Sequence, residues 1–196
     1  MRSVRGDDIR DKVAEAALKV AKDSFPEIKP SKLRFKEFES TSVFFKSRFS
    51  ICRYLTFRPM RHVIYFNRTA FADGLPDDAL DGILAHELSH VLYYTKKNRF
   101  QLAGLAGLIS PARNAEFERR ADIEAIRRGY GEGLADYRKW LFKHIPAKAA
   151  AEKRRDYFSA EEIEMISKAI GKDPQLADRL WRHVPRDREE LDGILR

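Results

Sequence analysis

The chain has 196 residues, 43% of them hydrophobic and 35% charged, with a formal net charge of +8. That is enough apolar material for one domain with a real core, and far too much for a disordered or fibrous chain. The longest lipid-like run, LAGLAGLIS at 102–110, falls well short of the roughly 20 residues a membrane span needs.

The opening stretch MRSVRGDDIRDKVAEAALKVAKD reads as an amphipathic helix over residues 7–24, not as a signal peptide. SFPEIKPSK, with two prolines, ends it. From Leu33 to Phe71 the composition shifts to Phe, Val, Ile, Tyr and Thr in short alternations. LRFKEFES, SVFFKSRF, CRYLTFRP and HVIYFNRT are expected to form three or four strands of an antiparallel-leaning sheet. Cys52 stands alone, so no internal disulfide can form, which favours a cytoplasmic setting.

DGLPDD punctuates next, and Pro76, Asp77 and Asp78 suit the first turn and the positive end of a helix over about 77–95. A segment at 96–110 with Gly104 and Gly107 is expected to be partly irregular. Ser110 and Pro111 restart a helix that Gly129 stops. Another follows in EGLADYRKWLFKHI, ended by Pro146. A Lys- and Ala-rich connector leads to SAEEIEMISKAI, which opens with the capping-box pair Ser159 and Glu162. PQLADRLWRHVPRDREELDGIL supplies one or two more short helices. The order is helix, small sheet, several helices, which is an α+β fold. Residues 1–148 form the main unit and 149–196 a C-terminal helical extension, expected either to complete the core or to cover a cleft and keep the protein latent.

The stretch ILAHELSHVL at 83–92 sets two histidines and a glutamate in an apolar run, where packing alone would favour leucine or alanine. On a helix His86 and His90, four apart, present two imidazoles to one point. Two neutral nitrogens are half of a tetrahedral Zn²⁺ site. Glu87, about 100° round the helix, stays clear of the metal and can take a proton from an activated water. This is the HExxH arrangement. A third ligand is required. Position 96 is Lys, which excludes the HExxHxxGxxH pattern, so the ligand is expected from the helix at 111–128. That helix offers Glu116, Glu118, Asp122 and Glu124, with His144 further along. Glu118 and Asp122 lie on one face beside the small residues Ala121 and Ala125. Glu118 would complete the site, and Asp122 would accept the free N–H of a zinc-bound His.

HELSH followed 28 residues later by ERRAD resembles the gluzincin zinc metallopeptidases, closest to the branch of the CAAX prenyl proteases and membrane heat-shock proteases. The likeness covers about residues 60–130. It implies a zincin-like domain with an active-site helix and a glutamate helix, His86, His90 and Glu118 as zinc ligands, Glu87 as general base, and Asp122 as the group that orients a ligand. It also implies a protein or peptide substrate bound as an added strand along the edge of the sheet, for which RHVIYFNRT (61–69) is the natural candidate. That branch is membrane-embedded, and this chain has no spanning segment, so its location and lipidated substrates are not carried over.

Tyr130, Tyr137 and His144 are the downstream groups that could fold back to stabilise an oxyanion. The +8 charge permits contact with nucleic acid, although the basic residues are scattered and no nucleic-acid module is visible. The alternatives to a peptidase are therefore an SprT-like or repressor-cleaving protease associated with DNA, and a non-catalytic zinc-stabilised interaction module.

Overall fold

In the computed structural model, residues 6–50, 53, 58, 60–97 and 111–196 are described. Helix α1 (Gly6–Ser24) is followed by β1 (Leu33–Glu37), β2 (Phe45–Phe49) and β3 (His62–Phe66). A single helical turn at Thr69–Ala72 leads into α2 (Asp77–Thr95), whose first turn carries Asp77 and Asp78 behind Pro76. Then come α3 (Pro111–Arg127), α4 (Gly131–His144), α5 (Ala147–Asp156), α6 (Ala160–Lys172), α7 (Leu176–Arg182) and α8 (Arg188–Leu195). The fold is α+β. Among the described residues no helix is long and apolar enough to cross a membrane.

The sheet departs from the antiparallel expectation. Its order is β1-β3-β2, with β1 parallel and β2 antiparallel to β3. Period-2 alternation tells which face of a strand is buried but not which way its neighbour runs. On β3, His62, Ile64 and Phe66 are buried while Val63 and Tyr65 are partly exposed. β3 is thus hydrogen-bonded on both sides, and 61–69 cannot be the edge strand that accepts a substrate backbone. Among the described residues the edges are β1 and β2. Of the expected CRYLTFRP strand at 52–59 only Arg53, which is helical, and Arg58, which is in no regular element, are described; Cys52, Ser110 and all but 96 and 97 of the 96–110 segment lie outside the described residues.

The Lys- and Ala-rich connector is also corrected: it is α5, with Pro146 as its N-cap residue. Ala, Lys, Glu and Arg are strong helix formers, and an Ala-dense run of them folds as a helix once it can lie on a neighbour. The capping box forms on α6: the Glu162 N–H donates to Ser159 Oγ at 3.2 Å, and the Ser159 N–H to Glu162 Oε2 at 2.7 Å. Gly129 closes α3 at φ +92°, a left-handed conformation that glycine adopts without strain.

The α2–α4 crossing is set by glycine. A Cβ added at Gly82 would lie 2.2 Å from the Leu134 nitrogen, and one at Gly133 would lie 2.2 Å from the Asp78 carbonyl oxygen. The two backbones therefore meet with no side chain between them. Around this contact the core runs without a break from Val13 through Leu84, Leu88, Ile123 and Leu134 to Phe158, Ile163, Leu180 and Leu191. The helices after residue 148 share that core.

Candidate metal centre

α2 lies in the middle of the molecule, so residues 79, 80 and 82–92 are all buried. His86, Glu87 and His90 retain only 2, 4 and 6% of their surface. Charge and polarity at these depths require partners.

The partner is Glu118 of α3. Its Oε2 lies 3.2 Å from His86 Nε2 and 3.1 Å from His90 Nε2, and the two ring nitrogens are 3.1 Å apart. Three atoms with lone pairs thus form a nearly equilateral triangle. Tetrahedral zinc with bonds of 2.0–2.1 Å requires ligand separations of about 3.3–3.4 Å, so the cluster fits a divalent ion closely. His86, His90 and Glu118 could hold a metal ion. Of the other carboxylates on α3, Glu116 pairs with Arg120 at 2.7 Å and Glu124 with Arg128 at 2.6 Å. Neither joins the cluster.

Asp122, fully buried, holds His86 from behind. Its Oδ1 accepts from His86 Nδ1 at 2.7 Å, which fixes the tautomer and turns the Nε2 lone pair toward the triangle. Arg138 of α4 donates from Nη2 to both oxygens, at 2.9 and 3.2 Å, and the Phe158 N–H donates to Oδ2 at 3.3 Å. One carboxylate therefore joins α2, α3, α4 and the turn before α6. Arg119 ties the end of α5 and the segment before α8 to α3, donating to the carbonyl oxygens of Arg155 at 3.1 Å and Pro185 at 2.6 Å.

The electrostatics follow from this geometry. Burial disfavours the His86 imidazolium, but the hydrogen bonds to Asp122 and Glu118 outweigh it and push the group up to about 10. Burial also acts against the Glu118 carboxylate, yet the adjacent imidazoles hold it well below the usual range. The centre of the triangle thus favours positive charge and could hold a metal ion. Glu87 is different. Burial pushes its carboxyl up, tempered by the two imidazoles and by the Ser47 hydroxyl on β2. Neither Ser47 Oγ nor Glu87 Oε2 completes a hydrogen bond. A buried carboxyl oxygen with no protein partner is free to exchange a proton with a group brought beside it.

The three groups that could fold back over the site have other contacts. The Tyr130 hydroxyl is 3.2 Å from Ser24 Oγ, Tyr137 packs between Phe45 and Trp140, and His144 Nδ1 donates to the Trp140 carbonyl at 2.7 Å. Tyr157, in the turn between α5 and α6, packs against the cluster. Its ring centroid is 5.8 Å from that of His86, and the Arg138 guanidinium stacks on it at 4.4 Å. Burial and the nearby Glu118 raise its phenol well above the ordinary value, so it remains a hydrogen-bond donor at neutral pH.

Sequence reasoning missed Arg138 and Tyr157. For Arg138 a signal existed: it stands in line with Leu134 and Leu141 on the apolar face of α4, as out of place there as His86 is on α2. No protein-family model, curated protein or solved structure matches the chain.

Proposed function

We propose that the chain is a zinc-dependent peptidase of gluzincin type, hydrolysing amide bonds with a metal-activated water. The observation that carries this reading is the His86–His90–Glu118 triangle with Glu87, buried and unpartnered, one residue along the same helix. His86, His90 and Glu118 would hold a divalent ion, which would supply Lewis acidity there. Glu87 takes the proton from the attacking water and passes it to the leaving amine. The Tyr157 phenol donates to the oxygen on which negative charge develops. Asp122 and Arg138 keep His86 in the tautomer that offers Nε2. The edge-strand role passes from 61–69 to β2, which ends the strand order among the described residues and whose Ser47 faces Glu87. A closed structural zinc site would leave Glu87 without a task.

The test is digestion of a mixed peptide library by zinc-loaded protein, read by mass spectrometry, beside Glu87→Gln carrying the same metal. Cleavage by the parent and none by the variant is the expected result. Equal cleavage by both removes Glu87 from the chemistry, and no cleavage by either at equal zinc content sinks the peptidase reading.

A further inference from the structure

Beside the cluster one charged group has no task in this scheme. Lys153 projects from α5 with its Nζ 5.1 Å from the Tyr157 ring centroid, and that ring lies 5.8 Å from His86. The two separations bound the distance from the ammonium to the His86 ring at about 11 Å, which two or three residues of extended peptide at roughly 3.3 Å each would bridge.

Its neighbours on α5 are accounted for. Arg155 pairs with Asp156 at 2.9 Å, and Arg154 stacks on Phe142 at 4.5 Å. Lys153 is partly withdrawn from water, and no carboxylate of the described residues comes within ion-pair distance of it. The charges that reach it are Arg138, which repels it, and Glu118, Glu87 and Asp156, which attract it from further off. Glu118 is engaged with the two histidines and Asp156 with Arg155 and Asn114, while Glu87 forms no ion pair with Lys153. A divalent ion in the triangle offsets the charge of Glu118 and weakens its pull on the ammonium. A partly desolvated cation whose close partner is an aromatic face but no anion gains from an incoming carboxylate.

We infer that Lys153 receives a carboxylate of the substrate, so that the protein acts on peptides carrying a negative charge two or three residues from the cleaved bond. That charge is either a free C-terminus or an Asp or Glu side chain. The inference rests on the peptidase reading for its catalytic arm and on binding alone for its second arm.

The experiment uses matched peptides: free acid against C-terminal amide, and Glu against Gln at successive positions. For zinc-loaded protein, removing the charge that Lys153 reads lowers kcat/KM about 10- to 100-fold, the range of a charge-assisted hydrogen bond. Loss on amidation identifies the C-terminus, and loss on Glu→Gln identifies a side chain. Lys153→Met, which keeps the apolar stem, removes the discrimination, and Lys153→Glu turns it toward Lys-bearing peptides. In the second arm the same pairs are titrated calorimetrically into Glu87→Gln protein, with and without Lys153→Met. Tighter binding of the charged form only when Lys153 is present supports the inference. A charged-to-neutral ratio near one in the parent, or one unchanged by Lys153→Met in a variant of unaltered melting temperature, overturns it. If Lys153→Met does not fold, Lys153→Gln and the charge reversal decide by the same ratio. If the parent cleaves nothing, the peptidase reading falls, and equal affinity for charged and neutral peptides then overturns this inference as well.

Discussion

Asp122 makes the sharpest test of how the centre is built. Asp122→Asn preserves shape while removing the charge that faces both His86 Nδ1 and the buried Arg138. Stranding one member of a buried ion pair costs about 3–5 kcal/mol, a large part of the 5–15 kcal/mol typical of a whole domain. Separately, losing the acceptor that orients a metal-binding histidine weakens metal affinity by about 10- to 100-fold. The two effects can be parted. Asp122→Asn with Arg138→Met removes both charges, so stability returns to within about 1–2 kcal/mol of the parent while affinity stays low. Urea denaturation of metal-free protein reads the first quantity, and competition with a chromophoric chelator reads the second. The reasoning fails if Asp122→Asn unfolds at the parent's midpoint, or if the double variant regains the parent's zinc affinity.

Gly82→Ala forces a methyl into the Leu134 backbone and should cost about 1–3 kcal/mol or more. Gly171→Ala, in α6 with open space around it, should instead stabilise by up to about 1 kcal/mol in the same melting assay. Because His86 is pushed up to about 10, it carries a proton at neutral pH in metal-free protein. Zinc binding at pH 7.5 should therefore release at least one proton, read from the buffer dependence of the calorimetric enthalpy. With a folded value above the unfolded one, metal-free protein is stabilised below about pH 6.5 and loses that stability as pH rises toward 10. His62 has the opposite sign: burial holds it down at about 4, so its contribution is present above pH 6.5 and lost as pH falls toward 4. His62→Phe should flatten the acid limb of a stability profile. A chain ending at residue 148 loses Phe158, Ile163, Ile166, Leu180 and Leu191 from the core, about 1.5–3 kcal/mol apiece. It should be unfolded by circular dichroism, and a folded, more active fragment would revive the idea of a latent enzyme.

What could be read from the chain divides along a physical line. α2 was legible because its start signals, apolar run and i,i+4 histidines are all local. Glu118 and Asp122 could be nominated because a site with two ligands demands more, and a helix spacing of four puts both on one face. The direction of β1 against β3 was not legible, since alternation encodes facing only. Tyr157 was invisible for a different reason: nothing in RRDYFSAEE says that this turn packs against a histidine 71 positions earlier, a contact made only once α5 and α6 lie on α3 and α4. The connector at 147–156 was misjudged because its charge suggested solvent, whereas Ala150 is buried and the helix lies against α3.

The hydrogen bond from the Phe158 N–H to Asp122 has a consequence for the order in which the protein is made. The ribosome delivers α2 and α3 first, and with them every side chain of the triangle. Arg138, which braces Asp122, and Tyr157, which packs against His86, emerge later, and the last tie to Asp122 waits for residue 158. A nascent chain can therefore collect a metal ion before its surroundings are in place. The centre takes its final form only after residue 158 has left the exit tunnel, so translation itself separates the arrival of the triangle from its completion.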